Sequence, residues 1–169
     1  MSLSLYNMSI PVLDKAMTSL KHLLEKGEEN AKSRDIAAEV FLNARLAPDM
    51  YPLKKQVQVV ASLIKNCPHR IVGSEPPIYE ETEETFDELY GLIAKTRKEL
   101  AKFSSADLDG KEDRAFSIKL GPMDVDFTGI TYLQGFTMPN VYFHNSAAYN
   151  ILRHNGVPLG KFDFFGGTL

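Results

Sequence analysis

His144 lies on the apolar stripe of the last long amphipathic segment and is the side chain with the most chemistry to explain. Val141, His144, Ala148 and Ile151 recur at the three- and four-residue spacing that turns side chains toward one face of a helix, here the interior. Asn140 precedes His144 by one helical turn on that face. An imidazole titrates near neutrality, donates or accepts through either nitrogen and ligates metals, and when buried it must find partners. Three chemistries follow: a hydrogen-bonded polar core or pocket, a proton-transferring base, or a metal ligand.

The segment that must position His144 runs from Phe136 to Phe165. Pro139 suits a first helical turn, where its missing N–H would be an orphan anyway. Asn155-Gly156 closes the segment, with Gly156 placed to take the left-handed C-cap and Pro158 blocking continuation. Between them the spacing predicts a helix of about four turns. His154 falls about 15 Å along the axis from His144, too far to share one ion, and is expected beside the C-terminal carbonyls. Arg153 reads as part of the solvated face.

Earlier elements must surround that helix. Ile10, Leu13, Met17, Leu20 and Leu24 predict a helix from Ser9 to Lys26, with Pro11 near its start and Gly27 just past its end, or with an extension to Lys32. His22 falls off this stripe and is expected in solvent. Ile36 to Tyr51 reads as a packed connector, pinned by an ion pair between Arg45 and Asp49. From Pro52 a second helix carries Leu53, Val57, Val60 and Ile64 inward until Pro68 stops it. Gln56 flanks that stripe, and if it points inward its amide needs a partner such as His144.

Cys67-Pro68-His69-Arg70 and Gly73-Ser74-Glu75-Pro76-Pro77 read as a turn-rich linker. The acidic run from Glu80 to Glu84 resembles a cation site, but Thr85 followed by Glu88 makes a capping box, and carboxylates there favour a helix N-terminus. Phe86, Leu89, Ile93, Thr96, Leu100 and Phe103 define that third helix. Ser104 to Arg114 reads as a loop with Asp109-Gly110 as a turn. Alternation of Phe116, Ile118 and Leu120, then of Met123, Val125 and Phe127, predicts a hairpin laid on a bundle, with Asp124 and Asp126 on its solvated face. Gly135 and Phe136 lead into the last helix.

The fold class is therefore all-α, a four-helix bundle with a short β-hairpin before the last helix, in one domain over 1–169. With 44% hydrophobic and 24% charged residues the chain has an ordinary globular composition, and its net charge of −3 argues against nucleic acid or an anionic membrane as a partner. The single Cys67 forms no intramolecular disulfide and belongs to no CxxC pair, which fits a reducing, cytoplasmic setting. No apolar run reaches the roughly 18 residues of a membrane span.

The runs ARLAPDMYPLKKQVQ (Ala44 to Gln58) and PNVYFHNSAAYNILRHNGVPLGKFDF (Pro139 to Phe164) resemble the domain-of-unknown-function family DUF1993. That family is similar to the DinB/YfiT-like four-helix bundles, a metalloenzyme fold whose members are often homodimeric. The resemblance implies a His-x-x-x-His pair on the last helix and a further histidine on the second. Here His144 matches the second member of the pair, Asn140 stands where the first belongs, and the second helix offers only Gln56 and Gln58. Amide oxygens bring neither charge nor a strong nitrogen donor, so zinc or nickel would be held weakly, with His144 the one metal candidate.

What the resemblance then implies is a degenerate metal site. The candidate pocket comprises Asn140, His144, Gln56, Tyr149, Arg45 and Asp49, holds a small molecule or serves as a structural polar core, and is expected to carry no cofactor. The alternative is a metal- or thiol-dependent transferase or hydrolase of the DinB/YfiT type, using glutathione, mycothiol or bacillithiol. A homodimer is the expected assembly.

Overall fold

Caps and tertiary packing set where each helix starts and stops. The computed structural model describes residues 3–167. Helix α1 spans Leu5–Ser33, its Ser4 hydroxyl accepting the Asn7 N–H at 3.2 Å. It therefore starts ahead of the expected Ser9, because a capping serine lies there, and Pro11 sits inside the helix. The connector contains α2, Ala38–Asn43, which buries Phe41 and Leu42. Helix α3 spans Leu53–Val72, with Leu53, Val57, Val60 and Ile64 fully buried as expected.

Pro68 does not stop α3. Its ring is buried in the helix interior, and the chain stays helical until Gly73 takes a left-handed cap at φ 85°. Cys67 to Arg70 is thus the last stretch of α3 rather than a linker, and His69 there bridges two elements. Its Nδ1 lies 2.7 Å from the Ser74 hydroxyl and its Nε2 3.1 Å from Glu99 Oε1, while the Phe103 ring meets its edge at 4.9 Å.

Helix α4 covers Phe86–Leu100 and opens on the expected capping box, with Glu88 N–H donating to Thr85 Oγ1 at 3.2 Å and Thr85 N–H to Glu88 Oε2 at 2.9 Å. The preceding acidic run is spent on α3: Glu81 pairs with Lys55 and Glu84 with Lys54. The segment expected as loop contains α5, Ser105–Leu108, because Leu108 turns into the core. Strands β1, Ala115–Leu120, and β2, Met123–Thr128, pair antiparallel with Ile118 opposite Val125. Asp124 and Asp126 lie on the exposed face, and Asp126 accepts the Ser117 hydroxyl at 2.5 Å.

From the hairpin onward the chain is helical without a break: α6, Gly129–Tyr132, a π-turn over Leu133–Thr137, and α7, Met138–His154. Gly135 and Phe136 therefore lie inside the helical run and not in a connector. Pro139 explains the difference: lacking an N–H, it cannot continue the i→i−4 ladder to Gly135, and the ladder widens there instead of ending. Asn155 and Gly156 close α7 as expected, with Gly156 at φ 88° and the Asn155 amide donating to the Ile151 carbonyl at 2.7 Å. Asn155 thus serves one of the carbonyls expected to receive His154, and His154 itself is exposed.

A last turn, α8, Lys161–Phe164, folds back on α1. Ser19 donates its hydroxyl to the Phe164 carbonyl, and His22 Nε2 meets Asp163 Oδ1 at 2.9 Å. His22 is therefore half-buried rather than solvated. The Gly160 N–H, then the His22 ring, hold the Asp163 carboxyl below the usual range.

Helix α3 packs against α4 and α7, and α1 packs against the same two, which closes the four-helix ring around the core. Among the described residues no helix is long and apolar enough to cross a membrane. Gly27, expected as a helix stop, lies within α1, where a Cβ would sit 2.7 Å from Leu152 Cδ2 of α7. Its missing side chain lets the two helices close.

That contact separates two glycines by experiment. A methyl group added to Gly91 of α4 would meet nothing within 4 Å, so Gly91→Ala is expected to stabilise by about 0.5–1 kcal/mol through helix propensity alone. Gly27→Ala should lose that gain to overpacking against Leu152 and come out neutral or destabilised in urea unfolding. Equal stabilisation by both would show that α1 and α7 do not meet closely at Gly27.

Candidate functional site

Gln56 and His144 approach each other because α3 and α7 are neighbours in the ring. Gln56 is 1% exposed, so both ends of its amide require partners. Its Nε2 donates to the Tyr51 carbonyl at 2.9 Å, which leaves Oε1 as an acceptor, and His144 Nδ1 lies 2.6 Å from that oxygen. The amide orientation thereby fixes the imidazole. An acceptor opposite Nδ1 requires the proton on Nδ1, so in the neutral ring Nε2 carries the lone pair.

Nε2 makes no hydrogen bond among the described residues, yet it is not sealed from solvent. It opens on a cleft of about 180 Å³ lined by Asp49, Met50, Tyr51, Gln56, Phe143 and His144. Burial holds the His144 pKa below its ordinary value, because the protonated ring would lose hydration.

The wall opposite α7 is a braced loop. Arg45 donates to the Met50 carbonyl, Met50 N–H to the Ala47 carbonyl at 3.0 Å, and Leu53 N–H to the Ala44 carbonyl at 3.0 Å. The expected Arg45–Asp49 ion pair does not form. The Arg45 guanidinium serves the backbone of its own loop, and Asp49 has no salt bridge among the described residues.

Of the six residues anticipated for the pocket, Gln56, His144 and Asp49 line the cleft, and Arg45 braces its wall from outside. Asn140 and Tyr149 are elsewhere. The Asn140 amide donates to the Phe136 carbonyl at 2.7 Å, one turn back at the π-turn, and the Tyr149 ring packs edge-on to Phe164 at 6.0 Å. Periodicity places Asn140 beside His144 on the helix but cannot show that a widened turn supplies a nearer acceptor.

Tyr51 and Phe143 are cleft residues that the sequence pattern does not single out. Both are exposed, at 51% and 59%, so no apolar stripe marks them, although their positions next to Pro52 and next to His144 are visible in the sequence. Asn145 also escapes the stripe built on His144: it is 1% exposed and donates to the Ala16 carbonyl at 3.1 Å. A second stripe of Val141, Asn145, Ala148 and Leu152 would have shown it.

A transition metal needs three strong donors around an open position. Among the described residues no three His, Cys, Asp or Glu side chains are grouped to hold an ion. His144 and Asp49 are the cleft's ligating side chains, Gln56 turns its oxygen to the His144 proton, and Asn140 is committed to the backbone. This donor set does not fit zinc or nickel. Cys67 offers no nucleophile, since it is fully buried and burial pushes its thiol up to about 12.

Residues 5–165 match the family described as a domain of unknown function, DUF1993. A crystal structure of a DinB family member protein from Shewanella denitrificans superposes on the chain with a TM-score of 0.86 at 32% sequence identity. The alignment covers 96% of this chain and 92% of that one. No curated protein matches.

The half-buried imidazole couples stability to pH. With a folded pKa below the unfolded one, His144 binds its proton more weakly in the native state, so stability is held above the unfolded value near 6.5 and lost as pH falls through the folded one. Between pH 7 and pH 5 the wild type is expected to lose more unfolding free energy than His144→Gln, whose side chain does not titrate in that range. Equal losses in denaturant titrations would mean that the ring is not held neutral by burial.

Proposed function

The chain belongs to the DUF1993 family and has a DinB-like bundle, and on that footing we propose that it binds a small molecule at His144 without a resident metal. The single observation that carries this reading is the 2.6 Å contact between Gln56 Oε1 and His144 Nδ1. An imidazole that serves as a metal ligand has its second nitrogen oriented by such a partner as well, but the further imidazoles of a DinB site are amides in this chain. What remains is an oriented, uncharged Nε2 at the floor of a cleft walled by Tyr51 and Phe143. Concave sites with a few convergent polar groups on mostly apolar walls are where small ligands bind.

A second reading draws on the same observation. A neutral histidine whose Nδ1–H is held and whose Nε2 is open has the arrangement of a general base. In a thiol-dependent transferase or hydrolase of the DinB/YfiT type, His144 Nε2 would take the proton of a thiol or water, while Gln56 keeps the ring in the reactive tautomer. Gln56 would then be a positioning residue and His144 the base. Loss of turnover in Gln56→Leu with restored turnover in Gln56→Asn would favour this reading over binding alone.

Metal analysis of the purified protein, with His144→Ala beside it, tests the proposal. Zinc or nickel is expected well below one ion per chain and at the same level in both proteins. A mixture of small fragments should shift the Tyr51 and Phe143 amide resonances in the wild type and leave them in place in His144→Ala. One tightly held ion per chain that disappears in the variant would overturn the proposal, as would fragments that never touch these residues.

A further inference from the structure

The cleft at His144 has a lopsided set of polar groups. Gln56 gives one of its two amide N–H groups to the Tyr51 carbonyl, and the His144 Nδ1–H is held by Gln56. Among the lining residues His144 keeps an acceptor in Nε2 and Asp49 a carboxylate, and the third polar group, the Tyr51 hydroxyl, can donate or accept. A ligand that presents N–H donors suits both His144 Nε2 and the Asp49 carboxylate, while an anionic ligand meets a like charge at Asp49.

The charge points the same way. Arg45 is committed to the Met50 carbonyl, and Lys54 and Lys55 at the start of α3 are paired with Glu84 and Glu81. Asp49 is the charged residue of the cleft's lining, and the Arg45 guanidinium keeps its charge in the wall outside it. Its neighbours include the Tyr51 and Phe143 rings, both exposed, whose faces attract cations. The volume of about 180 Å³ is on the order of a cavity that holds one benzene ring, so the ligand is small.

From these groups we infer that the cleft is a site for a small organic ammonium ion, whose N–H groups donate to Asp49 and to His144 Nε2 while its carbon body rests between Tyr51 and Phe143. The inference rests on the reading of the cleft as a ligand site and adds the ligand's chemical class. His144 stays neutral beside the cation, in keeping with its lowered pKa, since a second positive charge would repel the ammonium. No covalent step is required.

Three probes of nearly the same shape test the class: 2-phenylethylammonium, 2-phenylethanol and phenylacetate, each titrated into the full chain while the Tyr51, Phe143 and His144 resonances are followed. The ammonium is expected to bind about tenfold tighter than the alcohol, the sum of an exposed ion pair and a cation–π contact. Phenylacetate should leave the resonances unmoved. In Asp49→Asn, an exposed change that leaves the fold intact, the preference for the ammonium should shrink to about twofold, and added salt should weaken ammonium binding in the wild type alone. Alcohol and ammonium binding equally well at these residues would overturn the ammonium assignment while leaving the cleft as a ligand site. Tighter binding of phenylacetate would overturn it too. Silence from all three probes, together with silence from the fragment mixture, would overturn both.

Discussion

A buried amide on α3 and a half-buried imidazole on α7 meet beside the core, and the geometry of the candidate site depends on that bond. Gln56 is held from behind by the Tyr51 carbonyl, which commits its oxygen to face α7. Once that oxygen is placed, the His144 proton must sit on Nδ1, and the lone pair of Nε2 must point away, toward the cleft. A buried amide left without such a partner would cost about 1–3 kcal/mol, so the contact stabilises the packing of the two helices as well as orienting the ring. Around it the bundle supplies rigidity: α3 and α7 each touch the core along their lengths, and the loop between α2 and α3 is tied to itself by Arg45 and to α3 by Leu53.

Much of this is legible in the residues. The stripes of α3, α4 and α7, the Thr85–Glu88 capping box, the left-handed Gly156 and the exposed Asp face of the hairpin follow from periodicity and local hydrogen-bonding rules that need no tertiary information. The demand of an inward Gln56 for a partner like His144 is legible too, because an unpaired buried amide is expensive wherever it lies. What fails are inferences that take a local breaker as decisive. Pro68 and Pro139 each remove one N–H, but the core around Pro68 and the widened turn before Pro139 absorb the loss. Gly27 looks like a stop because nothing local distinguishes a capping glycine from one that makes room for Leu152 of another helix. His22 and Asp163 are far apart in sequence, and no pattern short of the fold brings them to 2.9 Å.

The cleft shows the same division. Its floor is readable from the stripe of α7 and the polar flank of α3, while its walls are not, since Tyr51 is an exposed loop residue and Phe143 an exposed residue of α7 off its apolar stripe. Asp49 and Arg45 read as partners because they are four apart. The chain between them is a braced loop instead of a helix, so the guanidinium finds a backbone carbonyl first and the carboxylate forms no ion pair among the described residues. That acid is what changes the character of the site. Its carboxylate and His144 Nε2 give the cleft two hydrogen-bond acceptors, one of them charged.

The most direct test is the tautomer of His144 at neutral pH, read from the nitrogen chemical shifts and long-range couplings of its isotopically labelled ring in solution. A proton on Nδ1 and a bare, pyridine-type Nε2, with the pattern lost when Gln56 is replaced by leucine, is the expected result. A proton on Nε2, or a doubly protonated ring at neutral pH, would contradict the hydrogen bond on which the site is built.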